Sequence, residues 1–138
     1  MKNLLMVSAI FIMAYCLQSC KKDEVKSERF NLLTGHIWVA DSLFANGNDE
    51  SGDTGLLRKF KGETKFNEDG TGYVGQIQGT WKFAMNESAI IISSDSLPIP
   101  VTTMIEELIE TSLKITTSYP DLLNPQDPMD VRMTFKPK

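Results

Sequence analysis

Short runs in which apolar and polar side chains alternate recur along the chain from residue 36 onward. In the run from Thr80 to Met85, Trp81, Phe83 and Met85 fall on one face, and Lys82 falls on the other. Successive side chains of a β-strand point to opposite faces, so this period of two is typical of a strand with one buried face. The alternation therefore predicts an all-β fold made of short strands.

Turn residues separate these runs and indicate that the strands are antiparallel. Asn67-Glu68-Asp69-Gly70 predicts a hairpin, because glycine adopts a positive φ at little cost. Gly79 predicts a turn or a bulge, and Asn86-Glu87 predict a further turn. We expect about eight strands in up-and-down order, at residues 36–43, 56–66, 71–78, 80–85, 89–93, 100–111, 113–117 and 129–136.

The segment from Pro100 to Thr111 fits two periodicities. Its apolar residues at 101, 104, 105, 108 and 109 have the spacing of an amphipathic helix, whereas those at 99, 101 and 105 alternate as in a strand. Its β-branched residues and the neighbouring strands favour a strand, and a helix is the alternative.

The N-terminus has the pattern of a secretion signal. Lys2 precedes an apolar run from Leu4 to Leu17, and Gln18-Ser19-Cys20 follows. A membrane-spanning helix needs about 20 apolar residues, and this run is shorter. We therefore predict that residues 1–19 are a signal peptide and that they take no part in the fold.

Leu17-Gln18-Ser19-Cys20 resembles the lipobox of bacterial lipoproteins. The resemblance implies cleavage before Cys20 and attachment of lipid to its thiol, which would anchor the chain in a membrane. The charged residues 21–26 favour this interpretation over an incidental cysteine, and they predict a tether over residues 20–30. Lys21 at the second position and the charges at 22–24 indicate the outer membrane, either at the cell surface or on the periplasmic face.

Composition argues against several functions. The chain has 14 Lys and Arg against 18 Asp and Glu, and it shows no basic stripe, so we expect no nucleic-acid partner. Cys16 and Cys20 are its two cysteines, which leaves the predicted domain at 31–138 without a disulfide or a thiol nucleophile. His36 is its single histidine, which weakens every His-based metal site or catalytic scheme. We expect no enzymatic activity, no catalytic residues, no metal and no cofactor.

Several motifs follow one another along residues 32–137. They are Leu33-x-Gly35-x-x-Trp38, Phe66-x-x-Asp69-Gly70-Thr71-Gly72, Gly79-Thr80-Trp81, and Ile105-x-x-Leu108 ahead of Leu113-Lys114-Ile115. In this order they resemble the lipocalin-like domains found on small lipoproteins of Gram-negative gut bacteria. The resemblance implies a small antiparallel barrel of the calycin type.

The interior of such a barrel is the candidate site. An eight-stranded barrel is just wide enough to be filled by side chains or to hold one small ligand. A filled interior is favoured by the number of aromatic residues, and a ligand pocket reported by the indoles of Trp38 or Trp81 is the alternative. The aromatic candidates for the interior or for ligand contact are Trp38, Phe60, Phe66, Tyr73, Trp81, Phe83 and Phe135.

We therefore expect a monomeric, non-enzymatic binding module. Its partner is either a small apolar or amphipathic molecule at the barrel mouth, between loops 45–55 and 118–128, or a protein bound by the outer face and loops. In the second case the barrel is filled and acts as an interaction or inhibitor module.

Other polar motifs carry weaker hypotheses. Two Asp-Ser-Leu triplets, centred on Ser42 and Ser96, resemble an O-glycosylation acceptor used by some of these bacteria. The loop at 46–53 is rich in oxygen donors but lacks the spacing of a calcium loop, so we expect a solvated loop. Glu106 and Glu107 would point to opposite faces of a strand and cannot share a proton.

The anchor hypothesis makes a direct prediction. Replacing Cys20 by Ala removes the thiol that would carry the lipid, and we expect the protein to become soluble. Cell fractionation followed by immunoblotting measures this change. A Cys20→Ala protein that stays in the membrane pellet would contradict the anchor.

Overall fold

The computed structural model describes residues 24–121 and 124–138, so Cys20 and the predicted signal peptide lie outside the described residues. Within these ranges the chain forms one α-helix, one short 3-10 helix and nine strands. No helix among them is long and apolar enough to cross a membrane. The elements are α1 (Glu28–Gly35), β1 (Trp38–Ala45), β2 (Asn48–Asp49), the 3-10 helix (Arg58–Phe60), β3 (Glu63–Phe66), β4 (Thr71–Val74), β5 (Ile77–Ala84), β6 (Ala89–Ser93), β7 (Val101–Ile109), β8 (Ser112–Tyr119) and β9 (Met129–Pro137).

The strands form one antiparallel sheet that closes on itself. From β3 to β9 each strand pairs with the next one in sequence, and β1 pairs with both β3 and β9. The two-residue strand β2 pairs with Phe44 and Ala45 of β1, on the side of β1 opposite β9. The result is a closed up-and-down barrel of eight strands, which confirms the predicted fold, and β7 confirms a strand within residues 100–111.

Several predicted strands have different bounds in the structure, and the largest differences lie between residues 56 and 85. Residues 56–66 were predicted as one strand, but Arg58–Phe60 form the 3-10 helix and only Glu63–Phe66 form β3. The turn or bulge predicted at Gly79, between strands 71–78 and 80–85, is also wrong. The chain reverses at Gly75-Gln76, and Gly79 lies inside β5 with no register shift. Gly75 has φ +57°, and a Cβ atom there would lie 2.4 Å from the carbonyl oxygen of Lys59, so this turn requires glycine.

The β5–β6 turn corrects a further prediction. Met85 was expected on the buried face with Trp81 and Phe83, but its side chain is exposed. Met85, Asn86 and Glu87 all have positive φ, and the chain reverses through them toward β6. The alternation of β5 therefore ends one residue earlier, at Ala84.

Helix α1 closes one end of the barrel and was not predicted. Ser27 caps it, since its hydroxyl oxygen accepts the backbone N–H of Phe30 at 3.0 Å. The same hydroxyl donates to Glu87 in the β5–β6 turn at 2.8 Å. The predicted end of the tether at residue 30 is therefore too late, because residues 28–30 form the first turn of this helix.

Lys65 fixes the other end of α1. Its ammonium group donates to the carbonyl oxygens of Thr34, in the last turn of the helix, and of His36, the C-cap residue. Carbonyls at a helix C-terminus lack partners within the helix and carry partial negative charge, so a cation is favoured there. Below the helix, the indole N–H of Trp38 donates to the carbonyl of Leu33 at 3.1 Å, and both residues are fully buried.

Aromatic rings fill the space beneath the helix. Trp81 lies at their centre, with ring centroids 5.9 Å from Phe30, 5.5 Å from Phe66 and 5.4 Å from Phe83. The contacts with Phe66 and Phe83 are edge-to-face, an arrangement that adds to the burial energy of the rings. The indole N–H of Trp81 donates to the carbonyl of Asn67 at 2.9 Å, which ties the β3–β4 turn to the cluster.

Replacing Trp81 by Ala should lower the free energy of unfolding by about 3–5 kcal/mol, the usual cost of removing a large core aromatic side chain. Chemical denaturation measures the change. Tyr73→Ala on the outer face of the neighbouring strand is the control and should cost less than about 1 kcal/mol. Equal losses for the two variants would contradict this assignment of inner and outer faces.

Candidate ligand-binding cavity

A cavity of about 240 Å³ occupies the end of the barrel opposite α1. The β6–β7 and β8–β9 connections meet at this open end, together with the β4–β5 turn and the long connection from β2 to β3. The residues that line the cavity are Leu56, Leu57, Phe60, Val74, Ile77, Ile92, Leu97, Val101, Thr103, Tyr119, Met129, Val131 and Met133.

The described wall of this cavity is apolar except for two hydroxyl groups. Thr103 is buried, and its hydroxyl donates to the carbonyl of Ile90 at 3.3 Å, so its proton is already engaged. Tyr119 ends β8 at the mouth, and its phenol makes no hydrogen bond within residues 24–121 and 124–138. No carboxylate, ammonium, guanidinium or imidazole group lines the described part of the cavity.

The segment from residue 50 to 62 forms one side of the cavity. β1 pairs with β3 only at Trp38 and Val39, so the two strands diverge toward the open end. The 50–62 segment covers the gap that they leave. Leu57, which is 3% exposed, and Phe60 turn inward from it, whereas Leu56 lies at the rim and is 67% exposed.

Glu50 holds this segment against the barrel. Its backbone N–H donates to the carbonyl of Leu43 on β1, and its own carbonyl accepts the N–H of Leu57. Its carboxylate accepts the N–H of Leu56 at 3.0 Å. Three hydrogen bonds made by one residue therefore fix the turn that carries Leu56 and Leu57.

Charged groups with shifted pKa values lie outside the cavity. The hydroxyl and backbone N–H of Ser51 donate to Asp49 and lower the pKa of that carboxyl group. Thr71 lowers the pKa of Asp69 in the same way at the closed end. Both carboxylates are exposed and accept hydrogen bonds from residues two positions further on, and neither lines the cavity. Within the described residues no cluster of three or more His, Cys, Asp or Glu side chains could hold a metal ion.

The predicted aromatic candidates separate into three groups. Phe60 lines the cavity. Trp38, Phe66, Trp81, Phe83 and Phe135 face the interior but fill the core and the closed end. The prediction for Tyr73 is wrong: it pairs with Lys65 and Gln78 on the outer face, while its neighbour Val74 points inward.

This division changes what the interior can do. The closed half is filled, as the favoured prediction had it, but the open half is hollow. Neither Trp38 nor Trp81, the indoles that the pocket alternative assigned to ligand contact, lines the cavity. Most of the cavity wall consists of aliphatic residues that the aromatic pattern did not single out, and Tyr119 was placed in a loop rather than at the end of β8.

The other polar candidates lie on the surface or in packing contacts. The hydroxyl of Ser42 contacts that of Thr134 between β1 and β9, whereas Ser96 is exposed in the β6–β7 connection. Of the two candidate glycosylation sites, Ser96 is thus the more exposed in the folded chain. The ring of His36 packs against Trp38 at 5.1 Å, and Glu107 forms an ion pair with Lys114 at 3.1 Å on the outer face.

Comparison with known proteins supports the fold. No protein-family model matches the chain. No curated protein matches it either. Among solved structures, a complex of bovine odorant binding protein with a selenium-containing odorant is similar, with a TM-score of 0.54 over 86% of this chain and 78% of that chain. The sequence identity is 13%, so the likeness concerns the fold alone. The chain has the lipocalin fold. The lipocalin-like resemblance of the sequence motifs is confirmed to that extent.

The role of Glu50 can be tested without a ligand. Glu50→Ala removes the acceptor of the Leu56 N–H, and we expect hydrogen exchange at that amide to become roughly tenfold faster, the effect of losing about one hydrogen bond. Two-dimensional NMR measures the exchange residue by residue. Asp53→Ala in the same loop is the control and should leave the rate unchanged. An unchanged Leu56 rate in Glu50→Ala would contradict the role assigned to this carboxylate.

Proposed function

We propose that this chain is a non-enzymatic binding protein that holds a small apolar molecule in the cavity at the open end of the barrel. The observation that carries the proposal is the cavity itself: about 240 Å³ of apolar space inside a barrel whose other half is filled. Ligand sites in proteins are concave and mostly apolar, with few polar groups. The solved structure with a similar fold is a complex with an odorant, which is a small molecule held by that protein.

The chemistry of the wall supports binding rather than catalysis. General acid–base or nucleophilic catalysis needs a titratable group next to the substrate, with a second group to orient it. The polar groups of the described wall are the hydroxyls of Thr103 and Tyr119, and neither has a basic partner there. Apolar contact and exclusion of water are what such a wall provides.

The alternative is an interaction module with a filled barrel. That hypothesis needs close packing throughout the interior, because well-packed cores leave few voids larger than a water molecule. The open half of this barrel does not have that packing. The cavity therefore favours a small-molecule ligand over a partner bound only by the outer face.

The proposal includes the location of the protein. Lipid on Cys20 would hold it at the outer membrane, at the cell surface or on the periplasmic face, with the barrel as a monomer outside the bilayer. The support is the lipobox-like Leu17-Gln18-Ser19-Cys20 and the charged residues that follow.

Cumene, an apolar aromatic molecule of suitable size, should bind saturably to the chain carrying Cys20→Ala, which removes the acyl chains as competitors. Val101 lines the cavity, and Thr102 is the next residue on β7 with its side chain exposed. Because a larger side chain at 101 occupies the space, Val101→Phe should weaken binding at least tenfold, and Thr102→Phe should leave it unchanged. Ligand-observed NMR and calorimetry measure binding, and thermal melting checks that both variants fold.

Two results would contradict the proposal. One is no saturable binding of cumene to the folded protein. The other is equal binding by the two folded variants, which would place the bound molecule somewhere other than the cavity.

A further inference from the structure

The cations nearest to the cavity wall in sequence face away from the cavity. Arg58 and Lys59 lie between Leu57 and Phe60, both of which line it. In a 3-10 helix residues three apart lie on the same face, and the N–H of Phe60 donates to the carbonyl of Leu57 at 2.9 Å. The 3-10 turn that directs Leu57 and Phe60 inward therefore directs Arg58 and Lys59 toward solvent, and both of these side chains are exposed.

This arrangement is unfavourable for a charged ligand. A carboxylate inside the cavity would lose its hydration and would meet alkyl groups, with no cation on the described wall. Burial of an unpaired ion is among the most costly events in protein chemistry. An uncharged molecule of the same shape has no such penalty and gains the full benefit of apolar contact.

The volume limits the size of the ligand. An apolar cavity of about 150 Å³ in another protein holds benzene, so 240 Å³ suits a molecule of about ten non-hydrogen atoms. A long acyl chain would extend through the mouth into water. The cavity thus matches a compact molecule rather than a lipid tail.

Tyr119 is the single free polar contact on the described wall. The hydroxyl of Thr103 already donates to the carbonyl of Ile90, whereas the phenol of Tyr119 is without a hydrogen-bond partner among the described residues. A phenol can donate to a carbonyl or hydroxyl oxygen on a ligand. Its position at the end of β8 places this contact near the mouth.

From these observations we infer that the cavity selects compact, uncharged molecules and rejects their carboxylate counterparts, and that Tyr119 donates a hydrogen bond to an oxygen atom on the preferred ligand. The inference rests on the proposed function, since it concerns the same site. It adds the charge and the size of the ligand, and the protein group that forms a hydrogen bond with it.

Three molecules of nearly the same shape test it: cumene, acetophenone and benzoate, which is ionised at pH 7. Calorimetry and ligand-observed NMR on the chain carrying Cys20→Ala should show binding of cumene and acetophenone, with benzoate at least tenfold weaker. Benzoate binding as tight as that of acetophenone overturns the inference and leaves the proposed function intact. Failure of all three to bind overturns both.

The hydrogen bond proposed for Tyr119 is tested by removing its phenol oxygen. Tyr119→Phe should weaken acetophenone binding about fivefold, the effect of losing one neutral hydrogen bond, and should leave cumene binding unchanged. Tyr73→Phe, the same change on the outer face, is the matched control and should affect neither ligand. Equal loss of both ligands in Tyr119→Phe would indicate a packing effect and would overturn the role of the phenol. An unchanged affinity for acetophenone would overturn it too.

Discussion

Closure of the sheet between β1 and β9 is the interaction on which the rest of the structure depends. Seven residue pairs join the two strands, from Trp38 with Pro137 to Ala45 with Val131. This pairing removes the exposed edges that an open sheet would present and sets the diameter of the ring. It also holds β1 along its whole length on one side while β1 separates from β3 on the other. At the open end β1 and β3 are thus not paired with each other, and residues of the 50–62 segment line the cavity there.

The closed and open halves of the barrel interior consequently differ in their side chains. Large rings with donor groups crowd the closed half, where Trp38 and Trp81 each donate to a backbone carbonyl and fix the helix and a turn in place. Aliphatic side chains without polar groups surround most of the open half. The first region is closely packed, whereas the second contains the cavity. An empty apolar volume costs packing energy, and an occupant of matching shape recovers part of that cost.

Much of the fold could be predicted from the sequence because strand alternation and turn residues act locally. The β3–β4 hairpin at 67–70 and the strand within 100–111 follow from such patterns. The predictions failed where spacing was ambiguous: Leu57 and Phe60, three residues apart, suit a 3-10 helix better than a strand, and α1 is too short to show a periodicity. The cavity could not be predicted, because a void depends on how distant strands diverge. Tyr73 was misplaced because its aromatic character was given more weight than its position on β4.

The contacts of the N-terminal residues determine which end of the barrel would face a membrane that holds the proposed lipid. Ser27 and Lys26 bind Glu87 and Glu68, which lie in the turns at the closed end. The residues between Cys20 and Lys26 can span at most about 20 Å, and an eight-residue strand such as β1 is itself roughly 26 Å long. A bilayer that holds the proposed lipid would therefore face the helix, and the mouth would open on the far side. A molecule would then reach the cavity from the aqueous phase, not by lateral diffusion out of the membrane that would hold the proposed lipid.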